Sequence, residues 1–431
     1  MDKNQDQDER PLLAQVISTG DEVLTGAVVD SNSAFIASKL LETGLQVVRH
    51  TTVGDDAPRL RHLLREIGEV ADIAVVTGGL GPTVDDITTR AAAEAAGVKQ
   101  VENKDALAAI QAYFKGFAKE MSISDGKQAF LPENAEPILN RSGTAPGFKM
   151  VIGKCTVFFL PGVPREMKTM MVEMVIPAIV KDYIPLRQRQ YYRERQLSIF
   201  GLPEAEVDQR LAEPSEKFGI VKLGMLARFP VIIVKLFAFG DDVEKIDRQI
   251  EQAARLVEAT LGQWIFSGSG ETIETAVANM LKEKPATLAA AESCTGGLIS
   301  DKLTNVPGSS AFFIMSAVSY ANSAKTDILG VLPETIEQFG AVSEETAKEM
   351  AEGVRRISSA DYGISTSGIA GPSGGTDEKP VGTICVAVAG PQRTVAKRRV
   401  LPFRDRCANK EVFAHLALDM LRRELIEQGP V

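Results

Sequence analysis

Two hydrophobic periods alternate along this chain. Leu12 to Ile17 is a short apolar run suited to a strand, and Ile36, Ala37, Leu40 and Leu41 then recur at helical spacing. Leu45 to Val48 returns to a strand-like run. Leu60, Leu63, Leu64 and Ile67 fill the i, i+3, i+4, i+7 positions of one helix face, and Ile73 to Val76 reads as a third strand. This βαβαβ order predicts a parallel, doubly wound sheet with right-handed crossovers, joined by a further strand at Thr156 to Leu160. Ligands of such sheets lie outside the carboxyl ends of the strands.

Beyond about residue 180 the pattern changes. A stretch rich in Arg, Tyr and Gln (Asp182 to Arg195) reads as a boundary. A strand (Gln196 to Phe200), a helix from Glu204, a strand (Val231 to Phe239) and a helix (Val243 to Leu261) then predict a small α+β module. Ser267-Gly268-Ser269-Gly270 is expected to be a short flexible joint. The α/β pattern then restarts. Ile273, Val277, Met280 and Leu281 share a helix face, and Thr287 to Ala291 is a strand. A helix (Thr346 to Ile357), strands (Tyr362 to Thr366, Val381 to Ala389) and a closing helix (Lys410 to Gln428) follow. The expected organisation is a polar, disordered segment at 1–10 and domains at 11–178, 179–266 and 267–431.

Composition narrows the chemistry. The chain has 431 residues, 44% hydrophobic and 24% charged, with a net charge of −9. An acidic balance speaks against a general nucleic-acid binder but leaves room for small phosphorylated ligands. No apolar run approaches the roughly 20 residues that span a bilayer, and the first ten residues lack a signal-peptide core. A cytoplasmic protein with no membrane partner is expected. Three histidines and four cysteines without a C-x-x-C pair offer little for a zinc site or a Ser-His-Asp triad. A hydrolytic base then has to be Lys, a carboxylate or metal-bound water.

Three turns of small and polar residues, two of them glycine-rich, follow strands in the C-terminal third. The first, Ala290 to Gly297, contains Ser293, Cys294, Thr295, Gly296 and Gly297 where a strand turns into a helix. There, unpaired N–H groups favour an alkoxide or oxyanion. The second, Ser319 to Lys325, offers Lys325 as a base and Tyr320 as a proton relay or orienting group. A desolvated lysine without a carboxylate partner loses its preference for the ammonium form. The third, Ser365 to Gly375, holds Ser367, Gly368 and Gly371. On residues alone, Ser293 also fits a helix cap, and Lys325 a solvated helix position. Cys294 reads either as a small buried residue or as a thiolate activated at a helix start.

The N-terminal third carries Gly78-Gly79-Leu80-Gly81-Pro82-Thr83 followed by Asp85, Asp86 and Thr88. Its amides are suited to a pyrophosphate, and Asp86, Asp85 and Asp21 to a divalent ion that would activate water. Glu22, Asp30 and Asn32 could add oxygen ligands. Gly143 and Thr144, with Pro161, Gly162 and Glu166, are expected to close the pocket. The same residues also fit a turn in which Asp85 and Asp86 cap the next helix.

AESCTGG, SYANSAK and SGIAGPSGG, with Lys379 to Thr383 behind, resemble the C-terminal domain of the CinA (competence/damage-inducible) proteins, which is similar to nicotinamide-mononucleotide (NMN) deamidases. The resemblance implies conversion of NMN to nicotinic acid mononucleotide and ammonia, with Ser293 as nucleophile, Lys325 as base, Tyr320 as helper and Ser367 as a substrate or relay contact. Arg406 falls in a run that the family uses for substrate. A further family Arg is replaced here by Lys410, and the two are not equivalent at a bidentate contact. The N-terminal motifs resemble the MoaB/MogA-like molybdopterin-binding fold at the front of CinA proteins, and 180–262 resembles their KH-type insert. That insert lacks a G-x-x-G loop and is expected to act as a spacer and dimer element without nucleic acid. The likeness implies a homodimer whose front domain hydrolyses ADP-ribose to AMP and ribose 5-phosphate with a divalent ion (Mg, Mn or Co), the rear site needing no cofactor. Molybdopterin adenylyl transfer, or a competence adaptor that binds nucleotides without turnover, are the alternatives.

Overall fold

The structure, a computed structural model, describes residues 12–184 and 191–427. The expectation for residues 1–10 lies outside them. Packing divides the chain into two compact units. One runs to Arg193 and includes Ala238–Asp247, and the other comprises Glu194–Phe237 and the chain from Arg248 onward.

In the first unit, β1 (Leu13–Thr19), α1 (Ser31–Glu42), β2 (Gln46–Val53), α2 (Ala57–Val70) and β3 (Ile73–Thr77) follow the expected order. Asp30 and Asp56 begin the two helices by accepting from the amides of Ser33 and Arg59, which satisfies donors that a helix start leaves unpaired. After α3 (Thr88–Ala96) and α4 (Lys104–Gly116) come β4 (Glu136–Ile138), β5 (Gly147–Ile152), β6 (Cys155–Leu160) and α5 (Pro164–Met170). The sheet order is β2-β1-β3-β6-β5-β4. The first four strands are parallel, whereas β5 pairs antiparallel with β6, and β4 antiparallel with β5. The expected all-parallel sheet is therefore mixed.

Alternation places Ile73 and Val75 on one face with Ile36, Leu40 and Phe158. Ala74 and Val76 face the other way, with Leu60, Leu64 and Phe159. Both faces are covered, which is why these strands read as continuous apolar runs. Each fully buried Leu, Val or Phe contributes about 1.5–3 kcal/mol.

The second unit holds most of the small module: β7 (Tyr191–Phe200), α6 (Glu204–Ser215), β8 (Lys222–Arg228), β9 (Val231–Gly240), α7 (Val243–Leu261) and β10 (Ile265–Ser267), in sheet order β8-β9-β7-β10. The Ser267–Gly270 joint is not loose. Ser267 Oγ accepts from the amides of Ser269 and Glu271, and Arg195 donates to the Gly268 carbonyl at 3.1 Å. Small polar residues here satisfy a tight turn.

The same unit continues through α8 (Ile273–Glu283), β11 (Leu288–Glu292), α9 (Leu298–Thr304), β12 (Phe313–Val318), α10 (Asn322–Leu329), α11 (Glu344–Ser358), β13 (Tyr362–Gly368), β14 (Thr383–Ala389), β15 (Thr394–Val400) and α12 (Arg406–Glu427). Its sheet runs β12-β11-β13-β14-β15. The first three strands are parallel, and the last two pair antiparallel. Ala289 and Ala291 pack against Leu329, Met350 and Val354, while Leu288 and Ala290 face Ile364, Phe413 and Leu418. Among the described residues, no helix is long and apolar enough to cross a membrane.

Candidate active sites

The parallel register pairs Glu292 with Val318 on one side and with Thr366 on the other. Ser319, Ser293 and Ser367 therefore follow as a row at the carboxyl ends of three adjacent strands. Ser293 is buried to 8% exposure and anchored by its amide to the Thr366 carbonyl at 3.0 Å. Lys325, in the first turn of α10, is 1% exposed. Its Nζ lies 3.3 Å from Ser293 Oγ, 3.0 Å from the Ser319 carbonyl and 3.2 Å from the Tyr320 carbonyl. Burial pulls the Lys325 amine below its ordinary value, and it forms no ion pair among the described residues. A neutral amine has two N–H bonds and one lone pair. With both N–H groups donated to the carbonyls, the lone pair is left for the serine hydroxyl.

The helix-start amides expected to face an oxyanion are already used. Glu292, 0% exposed, accepts from Gly297 N (2.9 Å) and Ile299 N (3.1 Å) through Oε2, and from Ser300 N (2.9 Å) and Ser300 Oγ (2.5 Å) through Oε1. Among the described residues the amides of Cys294 and Thr295, next to Ser293, donate to no backbone carbonyl or carboxylate and face the Cys294 sulfur, a weak acceptor. Sequence reasoning quoted Glu292 without seeing this role. An acid at the end of an apolar run, three residues before a Thr-Gly-Gly turn, was the available signal.

Other expectations divide. The Cys294 side chain belongs to the apolar core with Ile299 and Ile364, and burial pushes its thiol up to about 12, which favours the small buried residue over an activated thiolate. Thr295 spends its hydroxyl on Thr366 at 2.8 Å, and Ser367 donates to the Ala341 carbonyl at 2.5 Å. Gly368 lies against the Thr383 carbonyl and serves sheet packing. Tyr320 is 61% exposed and holds Lys325 through its carbonyl, while its hydroxyl accepts from Arg406 at 3.0 Å. Arg406 also donates to the Gly371 carbonyl at 2.7 Å, so these three residues do meet. Gly296 and Gly297 both take positive φ, 60° and 95°, and the Lys410 ammonium lies 3.7 Å from where a Cβ on Gly296 would sit. Ser319 Oγ is buried without a hydrogen-bond partner.

In the first unit, Gly78 (φ 108°) passes so close to β1 that a Cβ would stand 2.5 Å from the Thr19 carbonyl, and Gly79 abuts Thr88. Asn32 donates to the Gly162 carbonyl (2.8 Å) and to Thr77 Oγ1 (3.2 Å), while Thr77 donates to the Pro161 carbonyl (2.9 Å). These bonds bring the loops after β1, β3 and β6 together. Glu166 is bound by Asn140 at 2.6 Å and pressed against Gly143; no contact places Thr144. The Leu80 side chain packs into the core.

Asp86 is held inside its own loop, accepting from Thr83 N (2.8 Å) and Thr83 Oγ1 (2.5 Å) and lying against Gly81. Asp85 is exposed. Asp21 and Asp55 exchange backbone-to-carboxylate hydrogen bonds. Burial raises the Asp55 carboxyl, against the lowering effect of the Asp21 amide, and the charges of Asp21, Glu22 and Asp85 add to the rise. The sequence reading missed Asp55. Among the described residues no three acidic, histidine or cysteine side chains converge as a ready-made metal centre. The oxygen donors and mutually repelling carboxylates of Asp21, Asp55 and Asp85 would suit a hard divalent cation.

Comparison with known proteins agrees with this architecture. A probable molybdopterin binding domain matches residues 15–181, the KH domain of damage-inducible protein CinA matches 194–267, and the CinA C-terminal domain matches 270–425. A CinA-like protein of Desulfosudis oleivorans is 48% identical over 96% of this chain and 100% of its own length. The chain belongs to the CinA family. A second CinA-like protein, from Desulforapulum autotrophicum, is 46% identical over 96% of this chain and 99% of its own. A crystal structure of a CinA protein from Thermoplasma acidophilum is 38% identical, covering 40% of this chain and 98% of that one, with a TM-score of 0.36. The mixed α/β fold, with its MoaB/MogA-like front and KH-type module, is that of a CinA protein.

Proposed function

We propose that the C-terminal part of this CinA protein is an amidohydrolase that converts NMN to nicotinic acid mononucleotide and ammonia. The observation that carries this reading is Lys325 Nζ at 3.3 Å from Ser293 Oγ, buried and oriented by two carbonyls. Lys325 takes the hydroxyl proton as Ser293 Oγ adds to the carboxamide carbon. The developing oxyanion meets the amides of Cys294 and Thr295, which exchange the weak Cys294 sulfur acceptor for it. Lys325 then returns the proton to the departing nitrogen, which leaves as ammonia. Water, deprotonated by the same amine, cleaves the acyl-serine ester to the carboxylate. Arg406 and Lys410, at the mouth of the row, supply positive charge for the substrate phosphate. Ser293→Ala and Lys325→Met are each expected to abolish ammonia release from NMN. Unchanged release in either variant defeats the assignment, and binding of NMN without turnover by the native protein favours the adaptor reading.

For the first unit we propose hydrolysis of ADP-ribose to AMP and ribose 5-phosphate. The Gly78–Gly81 amides would receive the pyrophosphate, and Asp21, Asp85 and Asp86 would hold a divalent ion, which supplies Lewis acidity when bound. Asn32, Thr77 and Glu166 would fix the loops around the nucleotide. An adenylylated product from ATP and molybdopterin would replace this reading by adenylyl transfer.

A further inference from the structure

The second unit contains a cavity of about 230 Å³ well away in sequence from the Ser293 turn. The module contributes Phe200 and Trp264. The C-terminal sheet and α12 contribute an apolar floor of Val386, Leu416 and Met420. Gly201 (φ 92°) lets the chain pass the indole, since a Cβ there would stand 3.0 Å from the Trp264 ring. An apolar wall of this kind, with a few polar groups at one side, is the usual make-up of a small-molecule site.

The polar side is cationic. Lys397, Arg399 and Arg423 line the cavity against one acid, Asp419. Asp419 is already committed, accepting from Arg422 at 2.9 Å and from Arg423 at 2.7 Å. Arg423 is committed as well, since it also binds Gln263 Oε1 at 2.9 Å and lies 5.4 Å from the Trp264 ring centroid. Lys397 and Arg399 are different. Lys397 has no ion pair or hydrogen bond among the described residues, and Arg399 donates only to the neighbouring Arg398 carbonyl at 3.2 Å.

Their placement is unusual for surface charges. On β15 they stand opposite Val386 and Ile384, on the face where Val395 and the core of α12 are apolar. An edge strand does use charges to discourage pairing with other chains. That role needs no aromatic-walled cavity beneath the charges. Two unpaired cations beside an indole and a phenyl ring form a complementary surface for an anion attached to a flat ring.

We propose that this cavity binds a planar aromatic anion, a pyridine or purine ring bearing one phosphate or carboxylate. The ring lies against Phe200 and Trp264, and the anionic group meets Lys397 and Arg399. Because the ligand touches both the module and the C-terminal sheet, its binding ties the two together.

Trp264 is the single tryptophan of the chain, so its emission reports the cavity selectively. Full-length protein is titrated with AMP and, separately, with nicotinate. A saturable change in Trp264 emission with either ligand is expected; AMP alone assigns a phosphate, and nicotinate alone a carboxylate. The exposed double variant Lys397→Ala/Arg399→Ala is expected to bind roughly tenfold or more weakly, from the loss of two charge-assisted contacts. Calorimetry of Trp264→Phe separates the optical signal from binding. No emission change with either ligand, or an equal change in the double variant at an unaltered thermal midpoint, overturns the proposal.

Discussion

The chemistry of the rear site turns on one proton. Lys325 is held below its ordinary value of 10.5 by burial, with two carbonyls and a hydroxyl as its polar neighbours. Only the unprotonated amine can accept from Ser293, so the active fraction grows as pH rises. We expect kcat/KM for ammonia release to climb with pH along a single-proton limb centred below 10.5 and then level off. Lys325→Arg keeps the charge but cannot lose its proton, and is expected to lower the rate by roughly 10²–10⁴-fold at every pH. A flat profile between pH 5 and pH 10 would remove Lys325 from the role of base. This pair was legible in the sequence because serine and lysine each fell in a small-residue turn, and histidine was too scarce to compete. The carbonyls that orient the amine were not, because a backbone oxygen carries no residue-type signal.

At the level of elements, the turn that presents Ser293 is built by its neighbour. Glu292 collects three backbone N–H groups and the Ser300 hydroxyl at the start of α9, and the Ser316 hydroxyl of β12 as well. Glu292→Gln retains the shape but replaces one acceptor oxygen with an NH₂ group facing the donors of Ser300 or of Gly297 and Ile299. The expected cost is about 2–3 kcal/mol, read as a thermal midpoint lower by roughly 5–10 °C in calorimetry. A midpoint equal to the native one would show that the carboxylate is dispensable. Of the strands legible beforehand, β1, β3, β6, β11, β13 and β14 are buried on both faces, where the alternation has collapsed into continuous apolar runs, while β2, β7 and β9 are legible from apolar stretches despite partial exposure. β12 and β15 escaped, and both are edge strands. β15 (TVAKRRV) carries three cations, so partner hydrogen bonding rather than its own hydrophobicity makes it a strand. β5 was hidden behind the Gly143–Gly147 turn, which is why the antiparallel return of the first sheet was not foreseen. The start of α12 was likewise read four residues late, at Lys410 instead of Arg406, because its first turn is polar.

At the scale of the whole molecule, each candidate site is assembled inside its own compact unit and rests on its own core. The front site draws on the loops after β1, β3 and β6, the rear on those after β11, β12 and β13, and no residue is used twice. The two reactions should therefore separate cleanly. Chelation of divalent ions, or Asp21→Asn, is expected to stop AMP formation from ADP-ribose while ammonia release from NMN continues unchanged. Ser293→Ala is expected to do the reverse. The expected asymmetry rests on the proposed donor sets: mutually repelling carboxylates around Asp55 would take a cation, whereas a proton transfer by Lys325 would need none. Both products are followed in one incubation of full-length protein, so a folding defect, which would depress both, is distinguished from loss of one site. If chelation silenced ammonia release as well, with the thermal midpoint unmoved, the rear reaction would require an ion that Ser293 and Lys325 have no atoms to hold. The Ser–Lys mechanism would then have to be abandoned.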